Sequence, residues 1–138
     1  MQPRTTVYKN LKTGTYYVQP YTIGPVAATW FGEPTVISST DFRAKIVQAV
    51  LSNLEKFGTE KYDPARSLRR TPEQQGRFLR QNLEVIILKS ESGGLIVCPL
   101  RRDKGGRVGN NDDTITLTEP DVPHKLVDAI DEAFQKAS

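Results

Sequence analysis

From residue 42 the apolar positions fall at Phe42, Ile46, Val50, Leu54 and Phe57, with Val47 and Leu51 widening the stripe and polar residues filling the gaps. Steps of three and four place such side chains on one side of an α-helix, so the pattern predicts an amphipathic helix over about 41–57. Ser38, Ser39, Thr40 and Asp41 offer capping chemistry at its start, and Gly58 closes it. The chain ends on the same pattern: Val122, Leu126, Ile130 and Phe134, flanked by Val127 and Ala133, behind a cap at Thr118 or Asp121.

Elsewhere the apolar residues alternate or run unbroken. TVYKNLKTGTYYVQPYTIG holds two aromatic and β-branched arms around NLKTG, where Gly14 can take a positive φ, and predicts a hairpin. Pro20 and Pro25 are expected to end its second arm or bend it along an edge. PTVISST adds a short strand, LEVIILKSESGGLIVCPLR forms a second hairpin around ESGG, and TITLTE alternates as a further strand. The polar stretch after Gly58 predicts a long loop, ending at Thr71 as an N-cap with Pro72 in the first helical position of a short helix through Phe78 to about Gln81.

The order of strands, helix, short helix, strands and helix predicts an α+β fold. It is a single domain over 1–138, an antiparallel sheet with two main helices and one short helix packed on it, the helices gathered on one side. With 138 residues the chain is long enough to bury one core. Its one cysteine, Cys98, lies inside the apolar run LIVC and reads as a buried small side chain. MQPRTTVYKN lacks the apolar centre of a signal peptide, and no stretch approaches the roughly 20 apolar residues that span a bilayer. The expected setting is the cytoplasm, with no membrane partner.

Charge is unevenly spread. Residues 59–107 carry eleven Lys or Arg against six acids, a balance of +5, whereas 108–138 carry two against seven, a balance of −5. Such halves either attract each other in the fold or present separate faces to an anionic and a cationic partner. Arg101, Arg102, Lys104 and Arg107 can join Arg66, Arg69, Arg70, Arg77 and Arg80 on a basic surface. The aromatic residues Tyr8, Tyr16, Tyr17, Tyr21 and Trp30 sit in another segment, so base-stacking rings and phosphate-binding cations need not coincide.

Catalytic sets are scarce. His124 is the only histidine and falls in the first turn of the last helix, where the positive end of the dipole disfavours an imidazolium. One histidine and one cysteine cannot build a zinc site of those ligands within the chain. No GxSxG turn presents a serine. Asp112 and Asp113 adjoin in a loop, and Asp128 and Glu132 share a helix face, but a solvated turn and a wet helix face explain them without catalysis. The stretch CPLRRDKGGRVGNND has the glycines and cations of a phosphate loop without its spacing. It leads into a strand, not into a helix whose first amides could meet an anion, so it is expected to be a loop joining two sheet arms. The protein is expected not to be an enzyme and to need no cofactor.

The second half, GRFLRQNLEVIIL with a hairpin into LIVCPLRRDKGG, a polar loop and then ITLTEPDVPHKLVDAIDEAF, resembles the immunity proteins of contact-dependent growth inhibition. Pro99, Arg101, Lys104, Gly105 and Gly106 match that family's strand ending in proline with a basic residue and a glycine-bearing loop. Leu126 and Ile130 match its closing helix, and the likeness spans roughly 36–137. The resemblance implies a protein that binds the C-terminal domain of a cognate toxin in the cytoplasm and blocks it stoichiometrically. A nuclease toxin would tend to be basic. The acids Asp112, Asp113, Glu119, Asp121, Asp128, Asp131 and Glu132 are then one candidate contact set, and Arg101, Arg102, Lys104 and Arg107 are the other. A nucleic-acid-binding module using the basic middle segment is the alternative.

Overall fold

The computed structural model describes residues 1–66, 70–103, 106–109 and 111–138. Arg69, Lys104 and Gly105, singled out above, lie outside them. The described strands are β1 (Arg4–Asn10), β2 (Tyr16–Ile23), β3 (Ala28–Trp30), β4 (Thr35–Ile37), β5 (Asn82–Lys89), β6 (Leu95–Asp103), β7 (Gly106–Gly109) and β8 (Ile115–Leu117). The helices are α1 (Phe42–Lys56), α2 (Pro72–Gln81) and α3 (Val122–Lys136). All the strands join one antiparallel sheet along the path β3-β2-β1-β5-β6-β7, with β4 also on β2 and β8 also on β6. The fold is α+β, as its pattern predicts.

Both outer long strands divide their free edge between two short partners. Tyr16–Val18 of β2 pair with β4 and Tyr21–Ile23 with β3. On β6, Leu95–Val97 pair with β8 and Leu100–Asp103 with β7. Pro20 falls in the first gap and Pro99 in the second, each still paired on its inner side, with Thr5 and Val85. The Pro20 carbonyl faces outward and accepts from the Phe31 N–H at 3.1 Å. The missing proline N–H therefore faces the same outer edge and costs no bond to β1. Pro20 lies on the strand's outer edge, where the neighbour changes, as does Pro99 on β6, and β2 ends at Ile23, two residues before Pro25.

The core lies on one face of the sheet. Val7, Val18, Val85, Ile87, Leu95 and Val97 point there and pack under Ile46 and Val50 of α1 and Leu126 and Ile130 of α3, all fully or nearly fully buried. Full burial of one such side chain is worth about 1.5–3 kcal/mol. Tyr16 fills the end of this layer between Phe42 and Phe134, at centroid distances of 4.3 and 5.6 Å. One polar pair enters it: Asn53 of α1 donates to Thr5 Oγ1 at 3.1 Å, and that hydroxyl donates to the Gln19 carbonyl at 2.8 Å.

Both long helices begin directly after the expected aspartates, at Phe42 after Asp41 and at Val122 after Asp121. In Ser39–Asp41 and Glu119–Asp121 the chain enters through a 3-10 turn, with Asp41 and Asp121 donating to the Ser38 and Thr118 carbonyls at 3.0 Å. No side chain caps either helix; the Thr118 hydroxyl bonds Asp121 instead. The short helix follows its prediction in full. Thr71 accepts from the Gln74 N–H at 3.1 Å while the Gln74 side chain accepts from the Thr71 N–H at 3.0 Å, a capping box with Pro72 in the first turn.

Three expectations change. First, α2 lies on the opposite face of the sheet from α1 and α3: its Phe78 packs on Tyr8, whose neighbour Val7 points into the core. A ten-residue helix with no fully buried side chain cannot compete for the core face. Second, Cys98 is half-buried on that second face, because Val97 takes the core side. Third, the loop after Asp103 contains β7, which folds back on β6 with Arg102 opposite Arg107. At the ESGG turn, the Gly94 Cα sits so close to the Leu117 carbonyl that any β-carbon would collide with it.

Candidate functional site on the second face of the sheet

Alternation along β1, β2 and β5 sends Thr6, Tyr8, Tyr21 and Glu84 to the face away from α1 and α3. There they form a polar cluster under α2. The Trp30 indole N–H donates to the Tyr21 hydroxyl at 2.6 Å and Thr6 donates to the same oxygen at 2.9 Å. Tyr8, 2 % exposed, donates to Glu84 at 3.4 Å, and Glu84 pairs with Arg107 at 3.3 Å. Burial pushes the Glu84 carboxyl above the ordinary carboxylate range, against the opposing pull of Arg107 and of the bond from Tyr8. Burial likewise raises Tyr8, reinforced by the Glu84 charge, and raises Tyr21 against the bonds from Thr6 and Trp30.

Arg107 is a structural group, not an exposed charge. Its side chain is 6 % exposed, and besides Glu84 it donates to the Leu79 and Asn82 carbonyls, where α2 ends. Arg102 reaches the Leu79 carbonyl from outside at 3.3 Å. Two arginines of the β6–β7 hairpin thus close the C-terminal end of α2, where the helix dipole favours cations.

Above this cluster stands Arg70. Its guanidinium carbon lies 3.8 Å from the Phe78 ring centroid and 4.8 Å from that of Trp30, and one of its terminal nitrogens donates to Gln75 at 3.2 Å. Desolvation lowers its pKa, with Tyr8 acting the other way. Arg77 and Arg80 are exposed on α2, whose one acid is Glu73, and Arg102 is exposed at its end. A second stacked pair, Arg66 over Phe31 at 4.4 Å, is already bonded to Glu60 at 2.6 Å. It borders a cleft of about 240 Å³ lined also by Asn53, Lys56 and Glu33.

The acids named from the sequence do not gather. Asp113 pairs with Arg101 beside β6, and Asp112 is exposed in the same short turn. Glu119 lies against Gly93 of the β5–β6 turn. Asp121 pairs with Lys125 at 3.5 Å and Asp128 with Arg43 of α1 at 3.1 Å. Asp113 is thus met by an arginine of the basic segment, whereas Asp121 and Asp128 are met on α3 and α1. His124 is exposed, as expected. Of the stacking candidates, Tyr8 and Tyr16 are buried and Trp30 carries Arg70. Sequence reasoning missed Glu84 and Phe78; the signal for Glu84 is a single acid inside the apolar arm LEVIIL.

No family model matches the chain, and no curated protein does. Among solved structures the fold is similar to that of the protein of unknown function NMB0488 from Neisseria meningitidis. The TM-score is 0.71 and the identity 15 %, over 100 % of this chain and 96 % of that one. No helix among the described residues is long and apolar enough to cross a membrane.

Proposed function

We propose that this protein is a stoichiometric inhibitor of the immunity type. It binds the C-terminal toxin domain of a contact-dependent growth inhibition system in the cytoplasm and masks it without turnover. The resemblance of residues 36–137 to that family motivates the reading. The observation that carries it is the run of cations along α2, with Arg70 just before its start, Arg77 and Arg80 exposed on it and Arg102 at its end, against Glu73 as the helix's one acid. Arginine held against aromatic rings is a common centre of protein interfaces, because little side-chain freedom remains to be lost on docking. The acids around α3 are weaker candidates, since Asp113, Asp121 and Asp128 already have cationic partners.

The test is co-expression with the toxin domain encoded immediately upstream. One-to-one binding by calorimetry and survival of cells making the toxin are expected; neither binding nor protection sinks the proposal. Binding of nucleic acid by the same exposed arginines is the second reading. It predicts association with a random single strand that weakens steeply with salt. Tyr8 and Tyr16 are buried and Trp30 already carries Arg70, which leaves fewer rings to stack bases.

A further inference from the structure

Arg70 differs from the other arginines of this face in how it is held. Phe78 and Trp30 flank its guanidinium at 3.8 and 4.8 Å, Gln75 fixes one terminal nitrogen, and the ends of that scaffold are themselves tied down. Trp30 is bonded to Tyr21, and Phe78 lies edge-on to Tyr8 at 4.8 Å. Among the described residues no carboxylate pairs with Arg70: the nearby Glu84 is engaged by Arg107 and Tyr8, and Glu60 by Arg66. A half-buried guanidinium has lost part of its hydration and gains most from an anion that restores its bonds.

We infer that Arg70 is a carboxylate-binding site, taking one Asp or Glu side chain of a protein partner in a two-bond fork. This rests on the reading of the α2 face as the docking surface. A carboxylate suits the site better than a phosphodiester chain, because the guanidinium fork matches one carboxylate in plane and in spacing. Bases following a nucleic-acid backbone would find the Trp30 and Phe78 faces already covered. Arg77 and Arg80, exposed on the adjoining helix, add positive charge that draws an acidic segment in without fixing it.

The chain has one tryptophan, so its indole N–H gives one signal in a nitrogen-15 NMR spectrum, and that group sits beside the proposed site. With the full-length protein at low salt, a hexaglutamate peptide should move this signal saturably and a hexaglutamine peptide should not. Arg70→Lys keeps the charge but loses the fork, and should weaken binding about tenfold while the backbone amide spectrum stays folded. Arg70→Gln should abolish the shift. An immobile indole signal overturns the inference, as does a Lys variant that binds as well as the native chain. Tighter binding of a twelve-residue oligothymidylate than of the peptide overturns it in favour of phosphate. No toxin enters this measurement, so failure to neutralise a toxin would not remove the carboxylate site, and a silent peptide would not remove immunity.

Discussion

At the scale of single residues, the Glu84–Arg107 pair is the most consequential polar contact of the second face. Both side chains are largely removed from solvent, and Arg107 also satisfies two carbonyls at the end of α2. Breaking one side of a buried pair leaves an uncompensated charge, so Arg107→Met should cost about 3–5 kcal/mol in urea unfolding. The Glu84 carboxyl has a raised folded pKa, which makes the unfolded chain release its proton first. Its contribution to stability is therefore greatest below the ordinary carboxylate range and declines as pH rises through that range towards the folded value. Glu84→Gln removes this titration. The stability difference between native and Gln forms should move against the native form as pH rises across that interval, and unfolding curves taken at successive pH values would show a flat difference if the carboxyl were unperturbed.

At the scale of elements, α2 is held at its ends more than by its middle: a capping box at Thr71, two arginines at Leu79, and Phe78 on the sheet. Thr71→Ala should cost about 1 kcal/mol, felt locally. Hydrogen exchange of α2 amides should quicken roughly fivefold while the strands of β1 and β5 keep their protection. The same element shows what the sequence carries and what it does not. Thr71 and Pro72 announce the helix because capping is a local affair, and the stripes of α1 and α3 announce theirs because burial repeats with the helical turn. Which face of the sheet receives α2 depends on the register of β1 against β5, which no local pattern records. The half-exposure of Cys98 and the burial of Arg107 follow in the same way from the pairing of β6 with β5 and with β7. So does the concealment of β7: Gly106-Arg107-Val108-Gly109 has no alternation of its own and is a strand because β6 runs on past Pro99 to pair with it.

At the scale of the molecule, charge is sorted by the sheet. Asp128 of α3 and Asp121 at its start are answered by Arg43 of α1 and Lys125 of α3, while Arg77 and Arg80 of α2 are exposed on the other side. Association with an acidic partner should therefore depend on α2. Reversing Arg77 and Arg80 together to Glu should slow association at least tenfold at low ionic strength, with the gap closing as salt is added, whereas Asp121→Asn with Asp128→Asn should leave the rate nearly unchanged. Stopped-flow association at several salt concentrations separates the two pairs, and an equal effect of both would contradict the sorting. The divided edges of β2 and β6 have a consequence of another kind. In each long strand the gap between the two short partners falls at a proline, which has no N–H to offer, and the short strands that cover the rest are three or four residues long. A foreign strand arriving at either flank finds too little straight backbone to zip onto, so copies of the chain are kept from stacking edge to edge into fibres, and recognition is left to side chains.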